Sequence, residues 1–226
     1  MHFVVTGANR GIGLEFVKQL TARGEEVDAT ARDPADAGEL QALASPGVRL
    51  RIHRLDVAED ASVAAFAQNL APGPVDVLIN NAGVSGVKGG ELIDPDDVLR
   101  VLNVNAVGTL RVVRALLPRL REGKDKKIVN LTSKLGSIAD ASGGRYAYRS
   151  SKAALNMVTK LLAEDLRAEG FRAVALHPGW VQTRMGGSAA PVPPEQSVQG
   201  MLQIIDGLTS EQSGRVFDFQ GRDIPW

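Results

Sequence analysis

The 226-residue chain contains no cysteine. Disulfides, thiol nucleophiles and thiolate-ligated zinc are therefore excluded together. Only three histidines occur, His2, His53 and His177, and no two of them stand at ligand spacing. Structural roles are expected for all three, and no metal site is expected. A surplus of charge is also missing, since Lys+Arg and Asp+Glu both number 26. That balance argues against a nucleic-acid or membrane-surface partner. No apolar run reaches the ~18 residues of a membrane span. The nearest approach, 102–120, is interrupted by Arg111, Arg114 and Arg119. No basic, cleavable apolar leader is visible before the first strand-like run, so the expected location is cytoplasmic.

What is present is an ordinary globular composition, 44% apolar and 23% charged. Length and composition together predict a single domain over 1–226. Short β-branched runs alternate with stretches of helical period, the pattern of repeated βαβ units. Strands are predicted at 3–6, 26–31, 48–55, 75–80, 127–132, 172–177 and 215–217. Helices are predicted at 11–23, 35–44, 59–70, 95–121, 146–169 and 195–207. Val77-Leu78-Ile79 and Ile128-Val129 are continuous apolar runs, as strands covered on both faces require. The fold class that follows is α/β: one Rossmann-type, doubly wound parallel sheet of about seven strands with helices on both faces. Pro118 is expected to bend or shorten its helix. The small-residue and proline-rich loop 186–194 is read as a mobile lid.

The first strand runs into Thr6-Gly7-Ala8-Asn9-Arg10-Gly11-Ile12-Gly13 and then a helix. Glycines there permit a sharp turn and let a pyrophosphate approach the helix amides, whose dipole favours an anion. The spacing is GxxxGxG rather than GxGxxG. A fold preferring NAD usually ends its second strand with an acid for the ribose 2′-hydroxyl. Here Ala31 takes that place, followed by Arg32, 19 residues beyond Gly13. Arg32, with Arg10, can pair with a 2′-phosphate, so NADP(H) is preferred. Asp33 follows and can meet a ribose, which leaves NAD(H) open.

Tyr148 and Lys152 stand four apart on a predicted helix, hence on one face. The chain carries TGANRGIG (6–13), Asp56-Val57, NNAG (80–83), Asn105 in NVNAVG, Ser133 in NLTSKLG, YRSSK (148–152) and Pro178-Gly179, in that order. That set closely resembles the short-chain dehydrogenase/reductase family over essentially the whole length. The two tyrosines before SKAALNM, the run HPGWVQTRMGG and the ending DFQGRDIPW resemble its C-factor-like, carbonyl reductase-like branch.

The resemblance implies an NADPH-dependent reduction of an aldehyde or ketone, with Tyr148 as general acid/base. Lys152 would lower the phenol's pKa and hold the nicotinamide ribose. Ser133 would hydrogen-bond the substrate oxygen, with Thr132 beside it as a second hydroxyl. Asn105 would hold the water linking Lys152 to solvent. Asp56 and Val57 would meet the adenine, and Asn81, Ala82 and Gly83 its ribose. Pro178, Gly179, Val181 and Thr183 would line the nicotinamide. Tyr146 is read as pocket lining or packing, Lys134 as a solvated charge, and Trp180 as a pocket wall or a buried residue. The loops 86–94 and 184–195 and the residues after Ser133 would set specificity. The tail after Phe217 would contact a second subunit, and a homodimer or homotetramer is expected. A cofactor-binding signalling or regulatory protein with little turnover remains the alternative, and a dehydratase or epimerase a third.

Overall fold

The computed structural model describes residues 1–87 and 94–226. Seven strands, β1 (His2–Val5), β2 (Glu26–Ala31), β3 (Leu50–Arg54), β4 (Val77–Asn80), β5 (Lys127–Leu131), β6 (Arg172–His177) and β7 (Val216–Asp218), form one sheet. All pairings are parallel and the order is β3-β2-β1-β4-β5-β6-β7. The chain leaves β1 in one direction to build β2 and β3, then returns to place β4 on the other side of β1. The carboxyl ends of β1 and β4 therefore flank the switch point, where such sheets bind ligands.

Two apolar layers follow from the period of two. Phe3, Val5, Val77, Ile79, Val129 and Leu176 pack toward α1 (Gly11–Ala22) and α7 (Pro194–Asp206). Val4, Leu78 and Ile128 face α3 (Asp60–Asn69), α5 (Gly108–Glu122) and α6 (Tyr146–Asp165). Asp28 of β2, fully buried, accepts hydrogen bonds from His2 Nε2, His53 Nε2 and Arg51. Those two histidines thus satisfy a buried carboxylate. Burial alone would raise Asp28's pKa, yet the three donors together hold it well below the carboxylate range.

Several boundaries differ from the sequence reading. The expected helix 35–44 shrinks to α2 (Gly38–Gln41), which buries only Leu40. The expected helix 95–121 is α4 (Pro95–Leu102) and α5 joined by a π-helical turn, Asn103–Val107. Pro118 does not shorten α5, which runs on to Glu122. Beyond the proline, buried Leu120 and the bonds from Arg119 to the carbonyls of Leu70 and Ala71 hold its last turn. α6 stops at Asp165, followed by a 3₁₀ turn and Gly170 at φ +82°. Among the described residues no helix is long and apolar enough to cross a membrane. Residues 88–93 of the expected specificity loop lie outside the described residues.

Candidate active site

The glycine loop lies at the switch point, and its glycines have different reasons. A Cβ on Gly7 would lie 2.8 Å from the Ala82 Cα, and one on Gly13 would lie 2.4 Å from the Asn81 Nδ2. Both are therefore required by packing within the protein. Gly11 differs: its φ is +55° and its open side meets only the Thr183 methyl, 3.3 Å from a built Cβ. The Arg10 side chain does not cap α1, so the first-turn amides of Gly11, Ile12 and Gly13 remain available to an anion. Asn9 lies in the turn just before Arg10. Asn81 directs its amide to the carbonyls of Thr6 and Gly7, both at 2.9 Å, and so braces the loop. The Thr6 hydroxyl accepts from the amides of Asn81 and Ala82.

Arg10 and Arg32 are exposed, and among the described residues neither has an ion-pair partner. Asp33 accepts from the Ala35 amide and so shapes the turn after β2. Parallel pairing of Ala31 with Arg54 brings a third cation-bearing residue beside Arg32, which strand register alone reveals. Asp56 accepts the Ala58 amide on one carboxylate oxygen, the other accepting no hydrogen bond among the described residues, and Val57 is buried against Gly108. Unpaired cations, open amides and a cradle at Gly11 fit a phosphate-bearing dinucleotide.

The chemistry-bearing residues meet at the carboxyl ends of β4, β5 and β6. α6 begins after three residues of positive φ, Gly143, Gly144 and Arg145 at +77°, +69° and +53°. This start to the helix places Tyr148 beside the Ser133 hydroxyl, which favours the phenolate. Ser133 Oγ accepts the Leu135 amide at 3.1 Å, which leaves its own proton free to donate. Thr132 is buried and donates to Asn156 Oδ1 at 2.6 Å, so Ser133 rather than Thr132 presents the open hydroxyl. Lys152 is buried, with Nζ 2.7 Å from the Leu131 carbonyl and 5.8 Å from the Tyr148 ring centroid.

Burial shifts both Tyr148 and Lys152. It pushes Tyr148 above its ordinary value, and the Ser133 hydroxyl and the Arg145 charge only partly oppose it. Burial also pulls the Lys152 ammonium down to about 8, which weakens the charge it offers its neighbour.

Asn105 sits fully buried in the π-helical turn. Its amide donates to the Val84 carbonyl and to Ser151 Oγ, both at 2.9 Å, and its Oδ1 accepts the Val84 amide. Both side-chain protons are committed, so any water bound here must use the main-chain carbonyl or a remaining lone pair. A Cβ on Gly83 would lie 3.2 Å from this Oδ1 and 3.7 Å from Lys152 Nζ, which places the NNAG turn against both residues.

On the β6 side, Gly179 adopts φ +85° and the Pro178 carbonyl accepts the Ser197 hydroxyl at 2.6 Å. Val181 is buried and bridges Val192, while Trp180 is exposed and donates Nε1–H to the Gly186 carbonyl. The loop 186–194 is thus stitched at both ends to 180–183. Tyr146 is exposed, away from the buried Lys152.

Two residues escaped sequence reasoning. Ser151 Oγ donates to the Tyr148 carbonyl at 2.8 Å and accepts from Asn105, linking the π-helical turn to the tyrosine's own helix turn. Gly136 packs so closely on α6 that a Cβ would lie 2.8 Å from Lys152. A serine inside the YRSSK motif was the available signal for the first. Nothing local signals the second.

A glycine loop at a topological switch point, with a serine–tyrosine–lysine cluster at the same sheet edge, defines a nucleotide-binding α/β protein of oxidoreductase type. Residues 1–192 match the family model described as short chain dehydrogenase, and the chain belongs to that family. It is 55% identical over 165 residues to the C-signal of Myxococcus xanthus, covering 72% of this chain and 99% of that protein. It is 37% identical to the 1-hydroxy-2-glutathionyl-2-methyl-3-butene dehydrogenase of Rhodococcus sp., covering 99% and 98% of the two chains. Among solved structures it superposes on the NADPH-bound carbonyl reductase from chicken fatty liver with TM-score 0.93 and 38% identity, covering 100% of this chain and 98% of that one.

Proposed function

We propose that this protein is an NADPH-dependent reductase of aldehydes or ketones. The observation that carries the reading is Tyr148 set beside the Ser133 hydroxyl and buried Lys152, at the sheet edge where the exposed Arg10 and Arg32 and the open amides of α1 await a dinucleotide phosphate. The likeness to an NADPH-bound carbonyl reductase supports the choice of cofactor and of carbonyl chemistry.

When bound, the nicotinamide supplies the hydride. Ser133 donates its free proton to the substrate oxygen and holds it against Tyr148. Tyr148 protonates that oxygen, and its raised pKa keeps the phenol protonated and ready to act as the acid. Lys152 anchors the nicotinamide ribose and adds positive charge near the phenol. Asn105 and Ser151 hold the turn that carries them. Arg10 and Arg32 take the 2′-phosphate, Asp56 and Val57 the adenine, Asn81, Ala82 and Gly83 its ribose, and Pro178, Gly179, Val181 and Thr183 the nicotinamide.

Exposed Leu99, Val107 and Leu110 on α4, the π-helical turn and α5, with Met157 and Leu161 on α6, offer an apolar face for a second copy, consistent with a homo-oligomer. The deciding experiment is Tyr148→Phe. Proton transfer by a placed side chain contributes roughly 100- to 10,000-fold, so kcat should fall by that order with NADPH affinity intact. A variant retaining wild-type kcat overturns the reading.

A second reading, a cofactor-binding signalling protein with little turnover, is favoured by the likeness to the C-signal. Tight NADPH binding without NADPH consumption across a panel of aldehydes, ketones and quinones would decide for it.

A further inference from the structure

Beyond β7 the chain does not leave the molecule. The Asp218 carboxylate accepts the amides of Gln220 and Arg222 and the Arg222 guanidinium, which folds 218–222 into a tight reversal. Asp223 bridges back to Phe217 in antiparallel sense, and the Ile224 amide donates to the Val216 carbonyl at 2.9 Å. Ile224 is buried on Ala175 and Val216. The segment then crosses to the opposite connection, where the Trp226 main-chain oxygen accepts the Ala139 amide at 2.8 Å and the Ser137 hydroxyl at 3.5 Å.

Those acceptors matter because of what they hold. Ser133 caps one end of the 3₁₀ turn Lys134–Gly136, and Ser137, itself buried, closes the other. The turn is therefore pinned at Ser133 by β5, at Gly136 by the backbone of Lys152, and after Ser137 by the tail. Between tail and turn lies a cavity of about 320 Å³ bordered by Lys134, Asp140, His177, Gly179, Asp218 and Arg222. It adjoins Lys134, next to Ser133, and Gly179, next to the expected nicotinamide, but neither Ser133 nor Tyr148 lines it. It is a side chamber to the reacting atoms.

We propose that the segment Asp223–Trp226 is a positioning strap: it fixes the Ser133 turn and forms the outer wall of a chamber that receives the part of the substrate flanking the carbonyl. Resting on the reductase reading, this makes Ile224 and Pro225, which border the chamber, determinants of substrate size, with the Trp226 carbonyl fastening the strap. Loosening the strap frees the serine hydroxyl to wander and opens the chamber, while Arg10, Arg32 and Asp56, toward the β2–β3 end of the sheet, are untouched.

The test compares the wild-type chain with Ile224→Ala and with a variant ending at Ile224, which lacks the Trp226 acceptor. Amide hydrogen exchange at Leu135 and Ala139 reads the strap without any turnover. Loss of one bond of ordinary net strength corresponds to about tenfold faster exchange. In parallel, kcat should fall, the preference between a small and a bulky aldehyde should shift toward the bulky one, and the NADPH Kd should stay constant. Unchanged exchange at both amides overturns the strap. Faster exchange with unaltered kcat and aldehyde preference overturns its role in positioning and specificity. If the wild-type chain turns over none of the carbonyls, the reductase reading fails and exchange alone judges the strap.

Discussion

Gly136→Ala probes the tightest contact behind the proposed chemistry. An added methyl would sit 2.8 Å from both the carbonyl carbon and the Cβ of Lys152, and 3.0 Å from its carbonyl oxygen. Carbon atoms rest at about 3.5–4.0 Å, so turn and helix must separate by roughly 0.7 Å or more. Neither side yields easily. The Lys152 atoms struck are backbone and Cβ rather than a flexible end, the Asn156 amide ties the Gly136 carbonyl to the same helix, and the tail holds Ala139 just beyond the turn. Overpacking of this kind costs about 1–3 kcal/mol. For a chain of this size each kcal/mol lowers Tm by about 2–4 °C, so a fall of several degrees is expected. The same separation carries Ser133 away from Tyr148, and a misplacement approaching 1 Å costs up to about 100-fold in rate. The assay is kcat for aldehyde reduction at saturating NADPH, with Tm and NADPH Kd measured on the same preparations. A lowered Tm with wild-type kcat would show that the turn can shift without displacing Ser133. An unchanged Tm would refute the packing argument itself.

Other outcomes follow from other parts of the molecule. Arg32→Asp combined with Arg10→Ala should weaken NADPH at least about tenfold, since each lost bond to a charged group is worth roughly 1.5–3 kcal/mol. NADH should hold its affinity, and an equal kcat/KM ratio for the two cofactors before and after would remove the 2′-phosphate assignment. Burial lowers the His2 pKa, but the bonds to Asp28 and the Pro74 carbonyl and the nearby Glu26 outweigh it, so the folded value is raised. His2 therefore stabilises fully below its unfolded pKa of about 6.5 and loses that contribution as pH rises through its folded value. Melting curves across pH 6–9 should lose part of their alkaline slope in His2→Gln, and identical slopes would contradict the pairing. Arg145→Gly removes a non-glycine residue at φ +53° and should gain stability of order 1 kcal/mol. It also removes a charge that favours the Tyr148 phenolate, so the basic limb of the oxidation pH profile should move upward; an unmoved limb would separate Arg145 from the phenol.

The sequence alone carried whatever is local in the chain. Short β-branched and continuous apolar runs located all seven strands, because strands covered on both faces are apolar throughout. The glycine loop opening α1, the missing acid after β2 and the four-residue spacing of Tyr148 and Lys152 are likewise short-range, and each falls where its pattern implies. The limits of α2 and the π-helical turn were not legible, because they depend on how much apolar surface packs and on Asn105 being drawn toward Val84 and Ser151. Tertiary structure alone decided the partners. Ser133, not Thr132, became the open hydroxyl because Asn156 on α6 takes the threonine. Gly7 and Gly13 proved to answer to Ala82 and Asn81 as much as to any ligand. Burial, which no motif encodes, raised the phenol and lowered the lysine. The bond from Ala139 to Trp226 joins residues 87 apart in the chain, and only the folded sheet edge brings them together.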